Sequence, residues 1–125
     1  MTPFGVRLRE LREEKRVTMA QMAKTLQVSS AYLSALEHGK KGRPTIGLLH
    51  QICAYFGLIW GDAEALRRLA ELSHPRAVID TQGLSPKATE LANRLAERIG
   101  DLDDSRLDAL LAELRDPADH DGPRF

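Results

Sequence analysis

The 125-residue sequence is 42% hydrophobic but only 5% aromatic, and its 18 Lys/Arg balance its 18 Asp/Glu to a formal net charge of zero. This composition favours a Leu- and Ala-rich helical protein, long enough for one domain with a buried core and an appendage. We expect neither a signal peptide nor a membrane span, which needs ~20 apolar residues, and the single Cys53 excludes an internal disulfide, so a cytoplasmic setting is expected.

The zero net charge hides an uneven distribution. Residues 1–50 carry nine Lys/Arg and four Asp/Glu, a net charge of +5, whereas residues 51–125 carry nine and fourteen, a net charge of −5. The basic half can supply the electrostatic footprint that phosphates require, with the acidic remainder held away from them.

The first predicted helix starts at Thr2-Pro3, where Thr can cap and Pro fits the first helical position. It runs to about Lys15, and its apolar residues at helical spacing are expected to face the core: Phe4, Leu8 and Leu11.

The stretch from Thr18 to Gly39, TMAQMAKTLQVSSAYLSALEHG, predicts helices 2 and 3, two short helices joined by a tight turn. Thr18 can cap helix 2, and Gln21 can complete a capping box. Inward-facing positions then follow at helical spacing: Met22, Ala23 and Leu26 on helix 2, and Leu33 and Leu36 on helix 3.

The turn between these helices is assigned to Gln27 and Val28, and Ser29 can cap helix 3. Gly39 suits the left-handed position that ends helix 3. Two helices in this arrangement, the second offered to the major groove of DNA, form a helix-turn-helix. The alternative is any small helical hairpin with an apolar inside.

The run from about Leu8 to Leu58, LRELREEKRVTMAQMAKTLQVSSAYLSALEHGKKGRPTIGLLHQICAYFGL, resembles the Cro/C1-type (XRE) family of bacterial and phage repressors. The resemblance implies an all-α fold with a five-helix, lambda-repressor-like DNA-binding domain at residues 1–72. Gln27 stands where the family often has Gly, so a positive φ is expected there, at a cost of roughly 1 kcal/mol. The resemblance also implies a structural pair between Arg12 and Glu37, the alternative being two solvated surface charges.

Two more predicted helices complete this domain. Thr45 caps helix 4, and Gly57 ends it. Its core face is Ile46, Leu49, Ile52, Cys53 and Phe56, with Cys53 expected as a small apolar residue rather than a redox sensor. After an apolar connector, Asp62 caps helix 5 at about 63–72, with an apolar stripe of Leu66, Leu69, Ala70 and Leu72.

The pattern changes after this domain. Residues 73–83 lack helical periodicity and contain Pro75 and Gly83, which predicts a linker. Residues 84–116 predict a C-terminal helical hairpin, and residues 117–125 are polar and expected to be disordered.

The predicted hairpin is antiparallel: Ser85-Pro86 starts its first helix, Gly100 ends it, and Asp103 or Asp104 caps the second. Its predicted dimerisation residues are Leu91, Leu95, Ile99, Leu107, Leu110, Leu111 and Leu114. Two helices this short bury little by themselves. They can pack on helix 5, on a second copy or on a protein partner. Repressors of the resembled type read two-fold sites as dimers, which favours a homodimer.

The predicted DNA surface is the outward face of helix 3, Ser30, Ala31, Ser34 and Ala35, since Leu33 and Leu36 face inward. The resemblance places Ser30, Ala31 and Ala35 at base-reading positions. None of these side chains can make the bidentate contacts of Arg to guanine or Gln to adenine, so direct readout should be thin.

Most DNA contacts are therefore expected at the backbone, at the amide end of helix 2 and in the basic loop after helix 3. The predicted contact residues beyond the groove face are Thr18, Gln21, Ser29, Tyr32, His38, Lys40, Lys41 and Arg43. Arg43 can enter a narrowed minor groove. The alternatives are a packing role for Tyr32 and a merely solvated loop.

No catalytic, cofactor or metal site is expected. The sequence has no phosphate-cradling Gly loop and no nucleophile elbow, and its four histidines lack metal-ligand spacing. His120 between Asp119 and Asp121 is a weak metal candidate.

The predicted function is that of a dimeric, sequence-specific regulator of transcription that binds double-stranded DNA, a repressor occupying a two-fold operator, cytoplasmic and associated with the nucleoid. The alternatives are an antitoxin that binds DNA and, through residues 84–115, a toxin, or a protein-interaction module that no longer binds DNA.

Overall fold

A computed structural model describes residues 1–40 and 43–115, and all regular structure in these ranges is helical. The helices are α1 (Pro3–Lys15), α2 (Met19–Leu26), α3 (Ser30–Glu37), α4 (Ile46–Tyr55), α5 (Trp60–Glu71), α6 (Pro86–Arg98) and α7 (Asp104–Leu114), with a 3₁₀ turn at Ile99–Asp101. The predicted all-α class is confirmed. None of the helices in these ranges combines the length and the hydrophobicity that crossing a bilayer requires. Lys41, the tail at 117–125 and the His120 candidate lie outside the described residues.

The described chain divides into two compact units, a first unit at Met1–Arg76 and a second unit at residues 77–115. Ser73, the first residue of the predicted linker, is buried in the first unit. Its Oγ accepts a hydrogen bond from the Phe4 amide at 2.9 Å and donates one to the Leu69 carbonyl at 2.6 Å. The first unit therefore extends to residue 76, beyond the predicted boundary at residue 72.

Hydroxyl caps start α1 to α4, since the side chains of Thr2, Thr18, Ser29 and Thr45 each accept a hydrogen bond from the amide three residues on. Left-handed residues follow α2, α3 and α4, at Gln27 (φ 59°), Gly39 (φ 78°) and Gly57 (φ 61°). The positive φ expected for Gln27 is present, and Arg16 (φ 58°) ends α1 in the same way.

The core of the first unit draws apolar side chains from all five of its helices: Phe4, Leu8, Leu11, Met22, Ala23, Leu26, Leu33, Leu36, Leu48, Leu49, Ile52, Leu66, Leu69 and Ala70. Cys53 and Phe56 are half-buried and pack against it. Burial raises the pKa of the Cys53 thiol above its usual value, and the nearby Arg67 charge partly opposes this.

Three expectations for α4 and α5 are wrong. Ile46 is 76% exposed, because Leu48, Leu49 and Ile52 take the inward positions of α4. Leu72 lies past the end of α5 and is exposed. Asp62 does not cap α5, which already begins at Trp60, and lies in its first turn, where a carboxylate is still favourable to the helix dipole.

Helix α1 crosses the end of α3 at close range. A Cβ on Gly5 would overlap the backbone of Glu37, and the Thr2 amide donates a hydrogen bond to the Glu37 carbonyl at 3.3 Å. A residue without a side chain is therefore required at position 5 for α1 to hold the carboxyl end of α3.

The second unit has well-capped helices but no core. Ser85 caps α6, and Asp103 caps α7 by accepting a hydrogen bond from the Arg106 amide at 2.9 Å. Helix α6 ends at Arg98 rather than at Gly100, because the 3₁₀ turn intervenes. No residue in 77–115 is buried. Leu95 and Leu107 are half-buried, and the rest of the predicted stripe is exposed: Leu91, Ile99, Leu110, Leu111 and Leu114.

Candidate nucleic-acid interface

Helices α2 and α3 meet at the Gln27 turn in the predicted helix-turn-helix geometry. The Thr18 Oγ accepts a hydrogen bond from the Gln21 amide at 3.1 Å, and Gln21 Oε1 accepts one from the Thr18 amide at 2.8 Å. Both side chains are exposed, and each keeps a donor group that the capping box does not use. The amide end of α2 is thus ordered and open, as a phosphate contact requires.

The outward face of α3 carries small side chains. Ser30 and Ala31 are exposed, and Ser34 and Ala35 are half-buried beside the inward Leu33 and Leu36. A face of this kind can approach base edges closely, but it offers only a hydroxyl or a methyl group to them.

The two ends of α3 are shaped by local hydrogen bonds. Ser29 Oγ accepts from the Tyr32 amide at 3.0 Å, and the half-buried Tyr32 ring packs against the core of the first unit. His38 is exposed, and its Nδ1 donates to the Ser34 carbonyl at 2.8 Å, which leaves Nε2 as an acceptor in the neutral ring. Tyr32 thus has a packing role, and His38 presents one nitrogen outward.

The basic residues after α3 are placed on both sides of residues 41–42. The Lys40 amide donates to the Ala35 carbonyl at 2.8 Å, which folds the chain back over the end of α3. The side chains of Lys40 and Arg43 are exposed. Arg43 lies two residues before the Thr45 cap, at the start of α4.

The structure brings Arg12 and Glu37 together and adds Arg9. The Glu37 carboxylate is fully buried, with Oε2 3.3 Å from Arg12 Nη2 and Oε1 3.6 Å from Arg9 Nε. Neither carboxylate oxygen has a well-aligned hydrogen bond within the described residues. The two guanidinium charges therefore compensate the buried carboxylate, whose desolvation would otherwise be unfavourable.

The contact between Arg9 and Glu37 was not predicted, although the spacing of Arg9 and Arg12 indicates it. It lies three residues before Arg12, so both side chains fall on one face of α1. Together with the Gly5 approach, the ion pairs fix the carboxyl end of α3 against α1, behind the outward face of α3.

The described residues contain no group of three or more His, Cys, Asp or Glu side chains placed to hold a metal ion.

Comparison with known proteins gives a match to the helix-turn-helix domain family over residues 3–66, from α1 into α5. The chain is 41% identical over 54 residues to the "Uncharacterized HTH-type transcriptional regulator RghRB" of Bacillus subtilis (strain 168), covering 43% of this chain and 39% of that protein. It is 48% identical over 44 residues to the "HTH-type transcriptional repressor RghR" of the same organism, covering 35% and 33%. The similarity thus spans well under half of either relative, and no solved structure matches.

Proposed function

The chain belongs to the helix-turn-helix domain family, and from this premise we propose that it is a sequence-specific, double-stranded DNA-binding regulator of transcription. The observation that carries the proposal is the outward face of α3, which bears only small side chains. The buried Glu37 carboxylate fixes the end of this helix against α1. One relative is named a transcriptional repressor, which favours repression by operator occupancy. We place this activity in the cytoplasm, at the nucleoid.

In the proposed complex α3 lies in the major groove, and the open amide end of α2 binds a backbone phosphate. Ser30 and Ser34 can bond to base edges, and Ala31 and Ala35 can contact thymine methyl groups. Lys40 and Lys41 contact phosphates, and Arg43 reaches a narrow minor groove. Specificity then rests more on the backbone and on DNA shape than on base contacts.

Salt dependence tests the DNA contacts. Duplex affinity should fall steeply with salt, and Lys40→Ala should lower the slope of log K against log [salt] by about 1, equally for all sequences. Lys87→Ala, an exposed lysine on α6, is the matched control and should leave the slope unchanged. Duplex binding without salt dependence, or none at all, would favour an interaction module that has lost DNA binding.

Arg43→Ala tests shape readout. We expect its largest loss on operators with an A·T-rich, narrow minor groove. The measurement is binding across an operator library that varies only the A·T steps. An equal loss on every member would leave Arg43 a plain phosphate contact.

We further propose that the second unit forms a homodimer through its Leu stripe. No described residue covers the stripe, since Leu91 is 61% and Leu114 75% exposed. A two-fold protein also matches a two-fold operator with half-sites about one helical turn apart, or a multiple of it.

Full-length Leu91→Asp should sediment as a monomer and bind a two-fold operator much more weakly. Val78→Asp is the control, since Val78 is also exposed in the second unit but lies outside the stripe. A wild-type chain that sediments as a monomer would overturn the homodimer. Such a result would favour the antitoxin alternative, in which the same stripe binds a different protein.

A further inference from the structure

A groove opens on the first unit between the start of α4 and the end of α5. It encloses about 840 Å³, within the ~300–1,000 Å³ typical of small-molecule sites. Its apolar wall consists of Ile46, Leu49 and Ala70. The exposure of Ile46, unexpected for a residue predicted in the core, leaves its side chain lining this groove.

The rest of the groove lining is mostly cationic or titratable. It includes Arg43 and Arg67 as well as His50 and His74. Arg67 Nη1 lies 3.8 Å from a Glu64 carboxylate oxygen, at the outer limit of an ion pair, on a side chain that is about half exposed.

One acid, Glu71, also lines the groove, but its charge is engaged elsewhere. Its Oε2 accepts a hydrogen bond from Arg68 Nη1 at 3.2 Å. The groove therefore combines an apolar wall with a positively charged rim. Its two arginines come from different segments, Arg43 from the residues before α4 and Arg67 from α5.

We propose that this groove binds a small organic anion with an apolar body, specifically an aromatic or branched aliphatic carboxylate. The apolar body lies against Ile46, Leu49 and Ala70, and the carboxylate faces Arg67 and Arg43. A planar guanidinium group matches a carboxylate with two parallel hydrogen bonds. An inorganic anion would leave the apolar wall exposed to solvent, and a neutral apolar molecule would leave the two arginines without a charged partner in the groove.

The site has a consequence for regulation that rests on the proposed function. Arg43 is shared, because it lines the groove and is also the proposed minor-groove contact. An anion bound in the groove draws the Arg43 guanidinium toward itself and lowers the affinity of the protein for its operator.

The test uses full-length ¹⁵N-labelled protein and a matched pair of probes, 2-naphthoate and the isosteric neutral 2-naphthamide, titrated without DNA. Amide shifts should be confined to residues 43–50 and 67–74, and 2-naphthoate should bind roughly tenfold more tightly, the effect of one charge-assisted contact.

Arg67→Gln should markedly reduce the preference for the carboxylate, since only Arg43 then faces it, while leaving 2-naphthamide affinity unchanged. Ile46→Ser should weaken both probes. Both residues are exposed in the structure, so the fold should tolerate these changes, and Arg98→Gln on α6 is the control for a general charge effect. Equal affinity for the two probes, shifts confined to residues 77–115, or a wild-type preference in Arg67→Gln would each overturn the site.

Operator titrations with saturating 2-naphthoate then test the coupling. Operator affinity should fall several-fold in the wild type and not in Arg67→Gln. If 2-naphthoate binds in the groove but operator affinity is unchanged, the coupling is wrong and the site stands. If the protein binds no duplex, the proposed function fails, and the titration without DNA still decides the site.

Discussion

Helices α1 and α6 begin with the same signals, but only α1 packs into a core. Each has 13 residues, a hydroxyl cap and a proline at the first position. Helix α1 buries Phe4, Leu8 and Leu11 in the first unit, whereas α6 buries no residue, although its apolar residues are more cleanly segregated to one face. Amphipathicity therefore shows that a helix has a face to cover but does not show what covers it.

The difference lies in long-range contacts rather than in helix formation. In the first unit, contacts between distant segments surround the core. Examples are the close approach of Gly5 to the Glu37 backbone and the hydrogen bond from the Phe4 amide to Ser73. In the second unit the hydrogen bonds are local, within or next to its helices. Three pairs of substitutions, one in each unit, test this contrast.

The largest expected difference is between two leucines. Leu33 is fully buried, so Leu33→Ala should lower the free energy of unfolding by about 4 kcal/mol through lost burial and a cavity. Leu91→Ala should have little effect at low protein concentration and a growing effect at high concentration, because in the proposed homodimer its contacts come from a second chain. Urea unfolding at two protein concentrations measures both. A large, concentration-independent loss for Leu91→Ala would show that the second unit has a core of its own.

The second comparison is between two ion pairs, and the longer one should matter more. Glu37→Ala should cost about 3 kcal/mol, since it leaves Arg12 partly buried without its carboxylate. The double variant with Arg12→Ala should be less than additive. On α6, Arg94 Nε lies only 2.7 Å from Glu90, but both side chains are exposed, so Glu90→Ala should cost about 0.3–0.5 kcal/mol. Similar losses at Glu37 and Glu90 in thermal or urea unfolding would contradict the burial argument.

The third comparison is between two glycines. Gly5→Ala should destabilise the first unit by about 2 kcal/mol, because the new methyl group meets the Glu37 backbone, which cannot move aside as a side chain can. Gly100→Ala in the second unit meets nothing within 4 Å and should stay within about 0.5 kcal/mol of the wild type. Equal stabilities of the two variants would show that α1 can shift away from α3 at no cost.

Features encoded locally were predictable from the sequence. The caps at Thr2, Thr18, Ser29 and Thr45, and the left-handed turn at Gly39, depend on residues within one turn of each other. The positive φ at Gln27 was expected instead from the family resemblance. The helix-turn-helix followed from these signals and from the spacing of apolar residues.

Features that depend on distant segments were not predictable in the same way. Ile46 has the spacing of a core residue, but it occupies the first position of α4 and is exposed, while Leu48, Leu49 and Ile52 face the core. Asp62 looks like a cap, yet α5 begins at Trp60 without any side-chain cap. Ser73 reads as linker, and its burial follows from a partner 69 residues away. The groove at the α4–α5 junction arises from the packing of two elements, so no single stretch predicts it.

The hydrogen bond between Ser73 and Phe4 also makes the first unit a nearly closed ring of chain. Since the Ser73 hydroxyl lies 2.9 Å from the Phe4 amide nitrogen, the entry and the exit of this unit are neighbours. A short peptide from residue 76 to residue 2 could join them, and new ends could be opened at the exposed Gly57 between α4 and α5. The order of the helices along the chain would then change while their packing stayed the same. The unit is therefore suited to circular permutation and to insertion as a whole into another protein.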